Sequence, residues 1–350
     1  MQNYCSYKRS NNFIMKKNIT LKEDTQLSWI QIISRYNFPD TARSWWQIIN
    51  SVVPYIILWV LMVLSLKISY WLTLFISIFA AGFMIRIFII FHDCGHGSFF
   101  KSKKLNTFVG IITGLMVFTP YHRWHHDHFI HHNTVGNLDK RGIGDVITLT
   151  VKEYLSLSKW KRFAYRFSRH PVYLFGIAPM LLFLFQQRLT KRQMSLREQM
   201  YVHLTSLGVI IIALLLIWAM GFRAYLLIQI PVLFIAAGHG VWLFYVQHQY
   251  ENVSWVNNNE WDYENIALQG SSFFKLPRIL QWFTGNIGFH HIHHLSPKIP
   301  NYKLAACHYQ NPRFQKVKPI TFFSSLRSLK LRLWDEGRHK LIGFRDIRIA

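Results

Sequence analysis

Three histidine clusters, far apart along the chain, contain the residues best suited to chemistry. Their spacings are HxxxH, HxxHH and HxxHH, and they supply eight candidate ligands: His92, His96, His128, His131, His132, His290, His293 and His294. Residues three and four apart lie on one face of a helix, so each cluster predicts imidazoles that point in a common direction. Neutral imidazole binds iron, copper, zinc and nickel. These ligands exceed what one tetrahedral zinc ion uses, and they therefore predict two metal ions side by side.

The elements that position these clusters are predicted to be membrane helices. Apolar residues make up 51% of the chain, a high share for a soluble protein of this length. Arg86, near the end of the second apolar segment, is expected to extend to the lipid headgroups. Four apolar segments are long enough, or nearly so, to cross a bilayer as two hairpins: residues 52–66, 70–91, 201–220 and 224–246.

Two further apolar segments, residues 105–119 and 172–185, are shorter and are interrupted by glycine or proline. If either one crossed the bilayer alone, the histidine clusters would lie on opposite sides and could not share a site. We therefore predict that both are interfacial or re-entrant helices. The expected fold is an all-α integral membrane protein with four transmembrane helices in two hairpins, interfacial helices and a cytoplasmic histidine-rich cap.

The basic residues predict the orientation of the chain in the membrane. The net charge is +24, yet the two short turns between paired spans contain only Lys67 and Arg223 among 40 lysines and arginines. This distribution follows the positive-inside rule, and it predicts that both termini and the long central segment are cytoplasmic. It accounts for the charge without nucleic-acid binding. A basic face of this kind attracts anionic lipid headgroups or an acidic protein.

The chain is expected to form one membrane domain, residues 45–310. A polar basic N-terminal segment, residues 1–44, precedes it without an early apolar core, so we expect no cleaved signal peptide. A basic amphipathic C-terminal segment, residues 311–350, follows it. Leucines alternate there with lysine and arginine over residues 326–333, which predicts either a segment lying on the membrane or an ordinary surface helix. We expect no disulfide, because no CxxC pair occurs among the three cysteines, Cys5, Cys94 and Cys307.

The position of the clusters separates the candidate functions. A metal transporter would place its ligands along a pathway within the spans, whereas these ligands lie just beyond the span ends. A zinc hydrolase needs only three protein ligands and an open position. Two irons with nitrogen ligands and open positions can bind O2 and activate it for attack on an unreactive C–H bond. The pattern favours an enzyme acting on a lipid-embedded substrate, with a metal transporter as the alternative.

The clusters HDCGH, HFIHH and HHIHH resemble the three histidine boxes of the membrane fatty acid desaturase superfamily. The resemblance covers residues 34–310 and is closest to bacterial relatives of the plant acyl-lipid desaturases. The boxes do not separate desaturases from lipid hydroxylases or carotenoid-modifying oxygenases, which stay alternatives. The supporting stretches are SRYNFPDTARSWWQIINSVVPY, HDCGHGSFF, NLDKRGIGDV, YVQHQYENVSW and GNIGFHHIHHLSPKIPNY.

The resemblance implies a centre of two non-haem iron ions ligated almost wholly by histidine, with O2 as co-substrate. It also implies removal of two vicinal hydrogens from an acyl chain, with the help of two electrons. His248, after the last span, occupies the place where relatives often supply a further histidine ligand. Asn286, four residues before the third box, is a candidate to complete the ligand shell directly or through water.

The second box has an alternative, because HRWHH at residues 122–126 also satisfies HxxHH. Residues 128–132 are preferred, since Gly136, Leu138 and Asp139 keep the context of the family. Four more residues are candidates for ligands or for contacts that orient ligand imidazoles: Asp93, Asp127, His125 and His126.

The electrons are expected to come from a separate protein. The sequence has no haem-binding His-Pro-Gly-Gly signature and no GxGxxG followed by an acidic residue. An acidic ferredoxin-like or flavin protein would suit the basic face. The other expected partners are a fatty acyl lipid substrate and the lipids of a bacterial plasma membrane.

Overall fold

The computed structural model describes residues 28–142, 144–191 and 194–347. The predictions for Cys5 and for most of the polar N-terminal segment lie outside them. The described chain is mostly helical, which confirms the predicted class, and its helices are α1 (Trp29–Ser34), α2 (Thr41–Ser65), α3 (Tyr70–His96), α4 (Lys103–Met116), α5 (Tyr121–Thr134), α6 (Val151–Ser156), α7 (Lys159–Ser168), α8 (Ala178–Leu184), α9 (Leu196–Met220), α10 (Phe222–His248), α11 (Tyr263–Gln269), α12 (Arg278–Phe283), α13 (His290–Leu295), α14 (Asn301–Tyr309) and α15 (Phe322–Ser325). Two small sheets, ordered β1-β4-β5 and β2-β3, contain the strands β1 (Leu149–Thr150), β2 (Phe273–Lys275), β3 (Pro319–Thr321), β4 (Leu333–Asp335) and β5 (Lys340–Ile342).

Four helices, α2, α3, α9 and α10, are long and apolar enough to cross a membrane, as predicted. The first span is 25 residues long, about 37 Å, rather than the short apolar segment seen in the sequence. It begins early because the Asp40 side chain accepts hydrogen bonds from the backbone N–H groups of Ala42 and Arg43. At their other ends, α3 continues to His96 and α10 to His248, so the spans themselves carry histidines into the site.

The two central spans are α3 and α10. They pack against each other through small and branched side chains, with Ala81, Ile87, Ile228 and Val232 fully or almost fully buried. The turn at residues 66–69 joins α2 to α3, and Gly221, at φ +86°, joins α9 to α10. Both ligand-bearing spans therefore end at the same face of the helix bundle.

The two short apolar segments form helices that are too short to span a bilayer alone. Helix α4 has 14 residues and packs on α3. The other segment is a π-helical turn, Tyr173–Ile177, followed by α8, and it lies along α10. Together with α7 it has the length and composition of a fifth span, but a 58° bend separates the two parts. This geometry fits an interfacial or re-entrant segment.

The prediction of an amphipathic membrane segment or surface helix at residues 326–333 is wrong. A single turn of 3₁₀ helix, Leu326–Lys330, leads into β4, which pairs with β1 in parallel and with β5 in antiparallel. Leu331 and Leu333 are 8% and 0% exposed, so they pack in the cap. Of these leucines, only Leu333 lies in the strand, and Leu331 is buried just before it.

The prediction for Arg86 is also wrong. Its side chain is 6% exposed and is held inside the protein instead of extending outward. The guanidinium donates to the backbone carbonyl of Trp282 and lies 3.8 Å from the centroid of the indole ring. These contacts with a neighbouring helix offset part of the cost of burying the charge, while Arg86 Nε has no hydrogen-bond partner among the described residues.

Candidate metal centre

Nine histidines converge at the face where α3 and α10 end. Their ligand atoms form two sets, and within each set every atom lies within 4.8 Å of the others. We call them the five-histidine set and the four-histidine set. The five-histidine set comprises His92, His96, His128, His132 and His293, and the four-histidine set comprises His131, His248, His290 and His294.

Each set draws ligands from separate elements. Helices α3 and α10 contribute their last turns, α5 crosses both sets, and the short α13 follows a tight turn at Gly285 and Asn286, at φ +52° and +58°. The C-terminal end of a helix carries a partial negative charge that favours a cation. Adjacent histidines on α5 and α13 enter different sets, because neighbouring residues point about 100° apart around a helix. The rings of His132 and His294, one from each set, stack at 4.1 Å.

The Nε2 atoms face one another at short range. In the four-histidine set, His290 Nε2 lies 2.9 Å from His248 Nε2 and 3.0 Å from His294 Nε2. In the five-histidine set, His132 Nε2 lies 3.0 Å from His293 Nε2 and 3.2 Å from His128 Nε2. Two imidazole nitrogens bound to one ion at about 2.1 Å each lie about 3 Å apart when the angle between the bonds is near 90°. The spacing of these atoms fits one ion per set.

The other ring nitrogens show why these contacts need a cation. His131 Nδ1 lies 2.6 Å from Asp145 Oδ1, and His248 Nδ1 lies 3.4 Å from the backbone carbonyl of Gly270. Both oxygens only accept hydrogen bonds, so both Nδ1 atoms carry the proton. In the neutral rings, the two Nε2 atoms, 3.2 Å apart, then present lone pairs to each other. A metal ion between them turns this repulsion into coordination.

A buried polar network orients His92 of the first box, as Asp145 orients His131. Asp93 Oδ1 lies 3.1 Å from His92 Nδ1, and Asp93 Oδ2 accepts hydrogen bonds from the backbone N–H and the side-chain amide of Asn301, at 2.7 and 2.8 Å. Gln47, in α2, donates to Asn301 Oδ1 at 3.1 Å. These four side chains are at most 4% exposed. The network therefore ties a ligand imidazole to two spans and to the segment after the third box.

Burial keeps the ligand rings neutral. It lowers the pKa of five histidines outside the spans well below the usual 6.5, and neighbouring imidazoles lower it further, because a protonated ring would lose hydration and face other positive charges. These are His128, His132, His290, His293 and His294. Neutral imidazoles offer a lone pair to a metal at pH 7 without first losing a proton.

The donor set fits iron. In the described part of the chain, both sets consist of imidazole nitrogens alone, a ligand type that suits iron, copper, nickel and zinc. His96 Nε2 is buried and has no hydrogen-bond partner among the described residues. A buried nitrogen of this kind needs a partner, and a bound ion supplies one. Five and four ligands leave coordination positions open when the metal is iron, unlike a closed tetrahedral zinc site.

Several candidate residues lie outside the two sets. His125 and His126 are exposed, and the Asp127 carboxylate lies 3.2 Å from Lys191 Nζ and belongs to neither set. The alternative second box at residues 122–126 thus does not enter the site. Asn286 adopts a left-handed conformation, and its amide donates to the backbone carbonyl of Asn301 at 3.2 Å.

His291, inside the third box, points away from both sets. Its Nε2 lies 3.1 Å from His308 Nδ1, and both rings are buried. Burial lowers the pKa of His291 to about 3 and that of His308 to about 4. Cys94, inside the first box, is buried and free, like Cys307, and lies in the apolar core.

Sequence reasoning missed Asp145, Asn301 and the carbonyl of Gly270 as partners of the ligand network. Asp145 is the second-to-last residue of the stretch NLDKRGIGDV, and Asn301 is the second-to-last residue of GNIGFHHIHHLSPKIPNY. Their place as polar residues in stretches that support the resemblance was the available signal for these two. A backbone carbonyl leaves no signal in the sequence.

Comparisons with known proteins agree with this geometry. A family model described as fatty acid desaturase matches residues 69–324. A Bacillus subtilis (strain 168) protein named fatty acid desaturase is 45% identical over 316 residues, which cover 90% of each chain. An endoplasmic-reticulum omega-3 fatty acid desaturase of Vigna radiata var. radiata is 29% identical over 270 residues, covering 67% of this chain and 66% of the relative.

A relative from Synechocystis sp., named sn-1 acyl-lipid omega-3 desaturase (ferredoxin), is 28% identical over 245 residues, covering 67% of this chain and 64% of the relative. The region that the family model matches contains all three histidine boxes of this chain. On the extent of the family match and the identity to the Bacillus protein, the chain is an oxidoreductase that belongs to the fatty acid desaturase family.

Proposed function

We propose that the protein is an acyl-lipid desaturase that introduces a double bond into a membrane-associated acyl chain, using O2 and two electrons at two histidine-bound irons. The observation that carries this proposal is the convergence of nine imidazoles in two adjacent sets of five and four. In the four-histidine set, the Nε2 lone pairs of His131 and His248 face each other at 3.2 Å, and a cation between them relieves that repulsion. Membership of the fatty acid desaturase family supports the same reaction.

The five-histidine set would hold one iron and the four-histidine set the other. When bound, the irons supply the redox chemistry by which O2, two hydrogens from the acyl chain, two donor electrons and two protons become two waters. Asp93 and Asp145 hold the protons on Nδ1 of His92 and His131, so that each Nε2 faces inward. Burial of the ligands excludes bulk water from the reacting groups.

A cavity beside the four-histidine set supports access for an acyl chain. Its volume is about 210 Å³, and its wall combines apolar side chains such as Val146 and Phe244 with polar ones such as Asp145. The Phe244 ring packs against both His131 and His248, at 5.2 and 5.1 Å between centroids. The apolar part of the wall therefore lies against two ligand rings, which favours a hydrocarbon chain at that place.

The surface near the five-histidine set suits an acidic electron donor. Lys298 is exposed, and its ammonium donates to the backbone carbonyl of His96 at 2.6 Å. Lys103 and His125 lie near Lys298, within the range of electrostatic interaction with its ammonium group. Three relatives carry the word ferredoxin in their names, which favours a ferredoxin-like protein as the separate donor, with a flavin protein as the alternative.

The basic face also supports an orientation with both termini and the metal centre in the cytoplasm of a bacterial plasma membrane. Residues from both ends of the described chain contact each other on the side of the metal centre, where Tyr36 donates to Gln310 at 2.7 Å. The bacterial origin of the Bacillus relative favours a plasma membrane.

Lipid profiling tests the proposal directly. The chain is expressed in a host without desaturases, together with a ferredoxin and its reductase, and the acyl chains are analysed by mass spectrometry. We expect acyl chains lighter by two hydrogens, which disappear in His293→Ala but persist in His239→Ala. His239 is the matched control, because it lies in α10, is exposed and belongs to neither set.

Other products would separate the alternatives. Acyl chains heavier by one oxygen would show that the protein is a hydroxylase instead of a desaturase. Modified carotenoids would identify a carotenoid oxygenase. Metal transport that survives His293→Ala, with unchanged lipids, would show that the protein is a transporter.

A further inference from the structure

Helix α7 exposes an apolar face that the metal centre does not use. Trp160, Phe163 and Phe167 follow the spacing i, i+3, i+7 and therefore share one side of the helix. Their exposed fractions are 80%, 61% and 51%. Large aromatic residues exposed together in this way mark a contact surface.

The opposite face of α7 is fixed to the cytoplasmic cap. The Tyr165 hydroxyl donates to the backbone carbonyl of Arg332 at 2.6 Å and accepts from the backbone N–H of Leu149 at 3.1 Å. Arg162 and Arg166 are held by oxygens of the preceding segment, including the Tyr154 hydroxyl. The aromatic face therefore points away from the protein.

Two lysines lie on either side of the aromatic face, Lys159 at its edge and Lys161 farther around the helix, toward Tyr165. Lys159 and Lys161 are exposed and, in the described part of the chain, neither takes part in a salt bridge. A helix with aromatic residues on one face and lysines at its edges is the pattern of a helix that lies in a membrane interface. Trp and Lys both favour the headgroup level, where an apolar stem and a polar tip are satisfied together.

The position of α7 fits the same surface. Arg169, which directly follows α7, donates to Gln249 Oε1 at 3.1 Å. Gln249 directly follows the last residue of the span α10. On the other side of a 58° bend, the apolar residues 173–184 run along α10. Helix α7 therefore leaves the bundle at the level where a span ends.

We propose that α7 lies on the bilayer surface, with Trp160, Phe163 and Phe167 among the lipid headgroups and upper acyl chains and with Lys159 and Lys161 bound to anionic phospholipid. Through Tyr165 and Arg169, this contact sets the height of the cap above the membrane. The inference does not depend on the reaction or on the metals. Charge complementarity selects an anionic lipid surface over a second copy of this basic chain.

Spin labelling of the full chain in lipid nanodiscs tests this placement. A Cys5→Ser background leaves the buried Cys94 and Cys307, and single labels are placed by Phe163→Cys and, on the flank, by Lys161→Cys. We expect the label at 163 to collide more often with O2 than with a water-soluble nickel chelate. At 161 we expect the reverse order. A label at 163 that prefers the nickel chelate would refute the membrane contact.

The lipid preference is tested with nanodiscs of phosphatidylcholine, with and without phosphatidylglycerol. Phosphatidylglycerol should move the label at 163 deeper, and the pair Lys159→Glu and Lys161→Glu should abolish that shift. The control pair, Lys316→Glu and Lys318→Glu, changes the same charge at two other exposed lysines and should retain it. Loss of the shift in both pairs, or in neither, would contradict specific binding by α7. Dipolar coupling between labels at 163 would instead identify a contact between two copies.

Discussion

The contact between Asp145 and His131 offers the sharpest test of how the protein orients its ligands. Asp145 Oδ1 lies 2.6 Å from His131 Nδ1, and His131 is fully buried while the carboxylate is 19% exposed. A hydrogen bond to a charged group contributes about 1.5–3 kcal/mol, and its loss at a metal ligand typically costs about 10–100-fold in metal affinity. In Asp145→Asn, the amide oxygen still accepts the hydrogen bond from Nδ1–H but carries no charge, so we expect the smaller loss of metal affinity, about 10-fold. Asp145→Ala removes the acceptor and should reach about 100-fold.

The assay is iron binding at controlled free Fe(II), measured as iron per chain for each variant. The loss should affect one of the two ions, because Asp145 contacts only the four-histidine set. Asp139→Asn is the matched control: Asp139 lies on the same loop and accepts from the backbone N–H of Asn258 instead of from a ligand. Unchanged affinity in Asp145→Ala, or equal loss in Asp139→Asn, would refute the orienting role of the carboxylate.

Three further substitutions have defined outcomes. Asp93→Asn should weaken iron binding to the five-histidine set more than Asp145→Asn weakens iron binding to the four-histidine set. An amide cannot replace both carboxylate oxygens, which accept hydrogen bonds from His92 and from Asn301. The buried donor that is left without an acceptor costs about 1–3 kcal/mol. Equal iron affinity losses in the two variants would contradict this ranking. Gly110→Ala should lower the thermal unfolding midpoint, since a methyl group there overlaps the Tyr121 ring, and overpacking costs about 1–3 kcal/mol. Gly240→Ala, which meets nothing within 4 Å, is the control, and equal midpoints in the two variants would count against the packing argument. Lys298→Glu should raise the KM for a reduced acidic donor several-fold without changing turnover by a small chemical reductant, and an unchanged KM in steady-state assays would place the donor elsewhere.

Much of the fold follows from local patterns in the sequence. Hydropathy predicts the four spans because a bilayer requires long apolar helices, and the clusters at residues 92–96, 128–132 and 290–294 form helices whose spacing brings imidazoles together. The one-sided placement of the clusters follows from the hairpins. These features depend on neighbours in the sequence, which a sequence shows directly.

The remaining features depend on contacts between distant residues. The division into five and four could not be predicted, because His131 and His132 are adjacent and yet face different sets. The partner of Arg86 is a carbonyl in α12, nearly 200 positions away in the sequence. The sequence therefore shows only that a charged residue in an apolar span is energetically costly, and not what it contacts. Leu333 lies in a strand because β5 offers a partner nearby and β1 offers one far away in the sequence. Helix α7 has 10 residues, too few for a span, so apolar length in the sequence does not single it out.

The iron content of the purified chain tests the central claim most directly. Two adjacent histidine sets predict two irons per chain in the wild type, one in His293→Ala, one in His131→Ala and none in the double variant, since the two substitutions remove ligands from different sets. A wild type that binds a single iron when saturated would contradict the account. So would single and double variants that retain the same iron content.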